Sequence, residues 1–203
     1  MHMRPPVLVS LFALGCTIGA CTPVCPDARS AAAVDTDDDA PPTAGTRPKA
    51  GTKIAPEACD PKPGHKAPKL ALTQVNGDHA RVKIAPGKVT IVDFWATWCP
   101  PCEQSFPHYQ ALYVKYKDKG LDIVAVAVDD DRDDAALIAF AKRHGRAKFP
   151  IAWDDGHAVA QCWSPKTMPT AFVIDREGVV RHVHVKWEPG DERTLEREIK
   201  ALL

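Results

Sequence analysis

Two stretches of almost unbroken apolar residues organise this chain. Val89-Thr90-Ile91-Val92-Asp93-Phe94-Trp95 and Leu121 to Val128 lack polar alternation, the pattern of strands buried on both faces. Between them, Pro101 to Asp118 predicts a helix, kinked or interrupted near Pro107. Asp129 to Asp134 precede Ala135 to His144, so acids stand at a helix start and basic residues near its end, matching the helix dipole. Ile151 to Trp153 predicts a short extended piece and Ala158 to Trp163 a helical turn or more. Thr170 to Ile174 and Val179 to Val185 form a hairpin around Asp175-Arg176-Glu177-Gly178, and Asp191 to Leu203 is a closing amphipathic helix. Upstream, Lys69 to Val75 and Ala80 to Ile84 alternate weakly around Asn76-Gly77-Asp78, a hairpin signal. The order is βαβα, then ββα, with an added N-terminal hairpin: an α/β fold.

The first third of the chain has a different character. Arg4 is a positive n-region and Val7 to Leu14 a short apolar h-region, too short to span a bilayer and patterned as an export signal. Ala13-Leu14-Gly15-Cys16 and Ile18-Gly19-Ala20-Cys21 are both similar to the bacterial lipobox, whose cysteine becomes the lipidated first residue. Cys16 ends the strongly apolar run; Cys21 has the better large residue three positions earlier. Residues 22–66 are rich in Pro, Ala, Thr, Asp and Lys and show no periodicity, the composition of a tether. Its acidic tract, Asp35-Thr36-Asp37-Asp38-Asp39, is a solvated spacer. The expected organisation is thus an export signal with lipobox over residues 1–21, a tether over 22–66 and a folded domain over 67–203.

Charge narrows the partners. Twenty-six basic residues balance 26 acidic ones, which removes any bulk electrostatic argument for nucleic acid. Seven cysteines fit an oxidising, exported compartment. With Cys16 lipidated and Cys99 and Cys102 set aside, Cys21, Cys25, Cys59 and Cys162 remain, an even number allowing three connectivities. With Cys21 lipidated, three remain and one is odd.

Trp98-Cys99-Pro100-Pro101-Cys102 carries the candidate chemistry. A strand delivers the chain to a turn, and the first cysteine falls at a helix N-terminus. Unpaired N–H groups and the helix dipole stabilise a thiolate there. The second cysteine lies one turn further, placed to form or resolve a disulfide. Other readings are weaker. There is no second Cys-x-x-Cys to complete a zinc site, and Glu103 rather than His follows Cys102, against a c-type haem attachment. Asp129, Asp131 and Asp133 have calcium-loop spacing, but no glycine supplies the sharp turn and Phe140 stands where a bidentate Glu belongs. They read as helix capping. His182 and His184 share one strand face, read as an exposed polar face rather than a metal site. Trp95, Trp153, Trp163 and Trp187 read as packing residues.

The order of elements, with Phe94-Trp95-Ala96-Thr97-Trp98-Cys99-Pro100-Pro101-Cys102, Ala67-Pro68, Gly87-Lys88, Phe106-Pro107, Phe149-Pro150, Pro169-Thr170, and Asp175 with Gly178, resembles the thioredoxin fold. More closely, residues 67–203 resemble the TlpA/ResA-like thiol–disulfide oxidoreductases. The resemblance implies a central mixed sheet flanked by helices. It implies that Cys99 is the exposed nucleophile, that Cys102 is the buried resolving thiol, and that Pro169 is a cis-proline presenting the backbone of Met168 to a substrate segment. Trp98, Pro100 and Pro101 would contact substrate beside the pair. Asp93 stands where thioredoxins place a buried acid. Many TlpA/ResA-like proteins instead carry an acid three residues after the second cysteine, where this chain has Ser105. A buried carboxylate has a raised pKa and can take the Cys102 proton near neutrality.

A Cys59–Cys162 bridge would staple the domain's start near the substrate-facing loop. Closing about a hundred residues, it would contribute roughly 4–5 kcal/mol; sequence alone leaves the pairing open. The implied activity needs no bound cofactor, because the Cys99/Cys102 pair carries the electrons. The implied partners are disulfides of exported proteins, such as apocytochrome c or copper-delivery proteins, an upstream membrane thiol reductant, and a membrane reached through the lipid. The expected location is the bacterial cell envelope, facing the periplasm. Two rivals are a tethered copper(I) carrier using Cys99 and Cys102, and a thiol peroxidase. The peroxidase needs a Pro-x-x-x-Thr/Ser-x-x-Cys setting that neither Cys99 nor Cys162 has.

Overall fold

The computed structural model describes residues 59–203. The predicted export signal, Cys16, Cys21, Cys25 and most of the predicted tether lie outside the described residues. Strand β3 (Val89–Trp95) is buried along its whole length, as its uniform apolar pattern requires. It pairs in parallel with β4 (Leu121–Ala127), which pairs in parallel with β5 (Ile151–Trp153). On its other side β3 pairs antiparallel with β6 (Thr170–Ile174), and β6 antiparallel with β7 (Val180–Val185). The sheet is therefore mixed, in the order β5-β4-β3-β6-β7.

Helix α1 (Pro100–Tyr116) connects β3 to β4, and α2 (Asp134–Arg143) connects β4 to β5. Both crossovers advance the same way across the sheet, and their shared right-handedness puts both helices on one face. Trp95 records this: its ring lies 4.7 Å from Phe106 of α1 and 4.7 Å from Phe140 of α2. The adjacent residue, Phe94, points to the opposite face. It meets Trp163 of α3 (Ala158–Trp163) at 5.8 Å and Phe172 at 5.9 Å. Helix α4 (Asp191–Leu202) packs beside α1, joined by Glu196, which accepts from Lys115 at 2.7 Å and from the Tyr116 hydroxyl at 2.5 Å.

Four expectations need correction. Of the kink or interruption expected near Pro107, the interruption does not occur: helix α1 runs through it. Pro107 lies on the exposed face, as does Glu103, four residues back, whose carbonyl Pro107 leaves without its helical partner. The upstream hairpin is shorter than its alternation suggests, with only Leu72–Thr73 (β1) and Arg81–Val82 (β2) paired. The remaining polar groups dock it on the edge of β5: the Val75 N–H donates to Ile151 O at 2.7 Å, and the Asn76 side chain bonds Phe149 O and Ile151 N. This covers an open sheet edge.

The packed chain also starts before residue 67. Gly64 N–H donates to Val180 O, Val180 N–H to His65 O, and Asp60 N–H to Cys162 O. Residues 59–66 thus lie along the domain, with the last of them on the start of β7. Finally, His182 and His184 are not a free polar face. Glu198 of α4 stands between them, 2.6 Å from His184 Nε2 and 3.4 Å from His182 Nδ1. Strand alternation puts the two histidines on one face but cannot reveal which helix covers it.

Candidate active site

The site forms where β3 ends and α1 begins. Cys99 is the N-cap of α1, and Pro100 and Pro101 occupy the first two helical positions, where a missing N–H costs nothing. Cys99 and Cys102 are joined by a disulfide with Cα atoms 5.3 Å apart. The Cys102 N–H points at Cys99 Sγ at 3.3 Å. In the reduced protein that sulfur is a thiol or thiolate, and this N–H together with the helix dipole favours the thiolate.

Cys102 is fully buried and Cys99 is only 3 % exposed. The expectation of an exposed Cys99 is therefore corrected for the oxidised pair. Cys99 forms the floor of a groove of about 380 Å³ whose walls are Trp98, Pro100 and Pro101 on one side and Pro165 to Met168 on the other. Its sulfur is consumed by the bond to Cys102, so access runs through the groove. Trp98 is 66 % exposed and forms the rim. The Met168–Pro169 peptide is cis; Met168 lines the groove, and Pro169 is buried behind it. The Thr170 hydroxyl, bonded to Thr167 O at 2.6 Å, ties this loop to β6.

Both rims are anchored by residues that the sequence does not flag as functional. Asp129, two residues past β4, accepts from the Thr97 N–H at 3.1 Å and from the Thr97 hydroxyl, holding the segment that carries Trp98. Asp154 accepts from Val159 N–H at 3.0 Å and Ala160 N–H at 2.6 Å, capping α3 ahead of the groove loop. Cys162 of α3 is bonded to Cys59, with Cα atoms 4.6 Å apart.

Asp93 lies on β3 beneath α1, fully buried. Its Oδ1 accepts from the Tyr109 hydroxyl at 3.1 Å, and its Oδ2 has no hydrogen-bond partner among the described residues. Burial pushes the carboxyl well above the usual carboxylate range, against the opposing pull of the Tyr109 hydrogen bond. Cys102, Ser105 and Tyr109 are all buried and, spaced three and seven apart, share the face of α1 turned to β3. Ser105 donates to Cys102 O at 3.1 Å. Tyr109 is a further residue that sequence reasoning missed; its one signal is this helical register with Cys102.

A family model described as Redoxin matches residues 62–199. The chain belongs to the redoxin family. Within it, the chain is similar to the thiol-disulfide oxidoreductase ResA of Bacillus thuringiensis subsp. konkukian (strain 97-27), 37 % identical over 139 residues that make up 68 % of this chain and 78 % of that one. The ResA of Bacillus thuringiensis strain Al Hakam is 38 % identical over 117 residues, 58 % of this chain and 66 % of that one. Among solved structures, one described as a thiol:disulfide interchange protein DsbE from Chlorobium tepidum is 39 % identical with a TM-score of 0.63, covering 70 % of this chain and 99 % of that one. The protein is a ResA-like thiol–disulfide oxidoreductase of thioredoxin-like fold, with Cys99 and Cys102 as its Cys-x-x-Cys pair.

Proposed function

We propose that this redoxin acts outside the cytoplasm as a membrane-tethered reductant of disulfides in exported proteins, with apocytochrome c cysteines or copper-site cysteines as the substrate class. The observation that carries the substrate reading is the groove itself. It is open, walled by Trp98, three prolines and Met168, and has Cys99 of the disulfide at its floor, which suits an extended polypeptide bearing a cysteine rather than a small enclosed ligand. The signal-like N-terminus with Cys16 and Cys21 supports the tether, and an upstream membrane thiol would return the pair to its reduced state.

In this reading the Cys99 thiolate attacks a substrate disulfide. One substrate sulfur leaves as a thiol, and the other stays bonded to Cys99. Cys102 then gives its proton to Asp93 and attacks Cys99 Sγ. The second substrate thiolate leaves and takes up a proton. The substrate gains two electrons, and the Cys99–Cys102 bond reforms. Cys99→Ser should abolish insulin reduction. Cys102→Ser should accumulate mixed disulfides with exported proteins, since attack survives and resolution does not. Turnover of insulin by Cys99→Ser, or recovery from Cys102→Ser of no envelope protein released by reductant, would contradict the proposal.

A further inference from the structure

We infer that Tyr109 is a positioning residue for the resolving step: its hydroxyl holds Oδ1 of Asp93, leaving Oδ2 as the free acceptor for the Cys102 proton. This rests on the proposed role of Asp93 and adds a residue to it. The geometry is specific. Helical side chains lean toward the N-terminus of their helix, so Tyr109 reaches back along α1 toward the turn that carries Cys102. Its hydroxyl meets Asp93 at 3.1 Å; between it and Cys102 on the same face, the Ser105 hydroxyl donates to Cys102 O.

Asp93 is fully buried, with one oxygen bonded and the other orphaned among the described residues. A buried orphan oxygen is costly, and a transferable proton would relieve that cost. Its sheet neighbours, Ala125 on β4 and Ala171 on β6, cannot donate a side-chain hydrogen bond. Helix α1 brings the titratable Tyr109 and Cys102, and Asp191 at the start of α4 acts on Tyr109 through charge alone. Among the described residues Tyr109 is thus the side-chain donor that fixes this carboxylate, and burial keeps its phenol protonated.

When the proton moves, the Cys102 S–H bond breaks and an O–H bond forms at Asp93 Oδ2. The Cys102 thiolate then bonds to Cys99 Sγ as the substrate sulfur leaves with the electron pair of the broken bond. Removing the Tyr109 hydroxyl withdraws a hydrogen bond that stabilises the Asp93 carboxylate. Less of the base form is then present at neutral pH, and its orientation is lost.

The test is single turnover of the reduced protein with an aromatic disulfide that releases one thionitrobenzoate on attack by Cys99 and a second on resolution by Cys102. For Tyr109→Phe the first release should stay within about twofold, since the nucleophile is untouched. The second should slow about tenfold at neutral pH, with its acid limb displaced upward by about one pH unit. In an Asp93→Asn background the same change should have no further effect. Replacing Tyr109 with a fluorinated tyrosine, a stronger donor of the same shape, should move the acid limb the opposite way, which keeps the test available if Tyr109→Phe does not fold. If Asp93→Asn slows the second release but neither Tyr109 substitution moves its pH profile, the Tyr109 inference fails and the Asp93 role stands. If Asp93→Asn leaves the second release unchanged, both fail.

Discussion

The Cys59–Cys162 bond offers a prediction whose size follows from topology. It spans 103 residues, most of the described domain, so reduction restores nearly all the loop freedom of the unfolded chain. The chain-entropy relation gives about 16 cal/mol/K for this separation, or roughly 4.7 kcal/mol at 25 °C. Cys162 sits on α3, and Asp60 N–H bonds Cys162 O, so the bridge closes where the backbone already meets. A Cys59→Ser/Cys162→Ser variant, kept oxidised at Cys99–Cys102, should lose about 4–5 kcal/mol in urea unfolding. Its thermal midpoint should fall by about 10–20 °C for a domain of this size. The denaturant slope should rise, because the released unfolded chain exposes more surface. A loss below about 1 kcal/mol with an unchanged slope would refute the reasoning, since a bond across so long a loop must then act on something other than the unfolded state.

Other predictions follow from individual side chains. Glu196 is held at about 2 by hydrogen bonds from Lys115 and Tyr116. Its link between α4 and α1 therefore stabilises fully above the ordinary Glu range and is lost as pH falls through about 2. Glu196→Gln should cost about 1 kcal/mol at neutral pH, because the link is partly solvent-exposed, and nothing at the acid extreme, read as thermal midpoints across pH. Asp93 runs the other way: its raised folded pKa makes wild-type stability fall as pH rises from the unfolded value of 3.8 through the folded one. Asp93→Asn should therefore raise the thermal midpoint at neutral pH, and the gain should vanish near the unfolded value. Trp98→Ala should raise KM for a disulfide-bonded protein several-fold, with little effect on a small aromatic disulfide that does not need the rim; equal losses for both would remove Trp98 from substrate binding.

What the sequence revealed depended on how local each signal is. The strand β3 was legible because seven consecutive buried positions leave no room for alternation, and the placement of Cys99 at a helix start followed from the strand–turn–helix order around it. The cis geometry before Pro169 had no local signature and came only from resemblance. Tyr109 was hidden because its partner, Asp93, lies 16 residues away on another element; only the register with Cys102 hinted at it. In sequence Asp129 is one of several acids whose pattern predicts helix capping. Asp133 caps α2 through Ala136 N–H, whereas Asp129 turns back to Thr97. His182 and His184 were legible as a pair on one face, but the Glu198 that covers them arrives on the final helix.

The central claim is that the Cys99–Cys102 pair donates electrons to substrates. The most direct test is its reduction potential, measured by equilibrating the full chain with glutathione and thioredoxin couples and counting free Cys99 by alkylation. The account predicts a reducing value, near or below the roughly −270 mV of thioredoxin, whereas a value near the about −120 mV of a dedicated oxidant would contradict it.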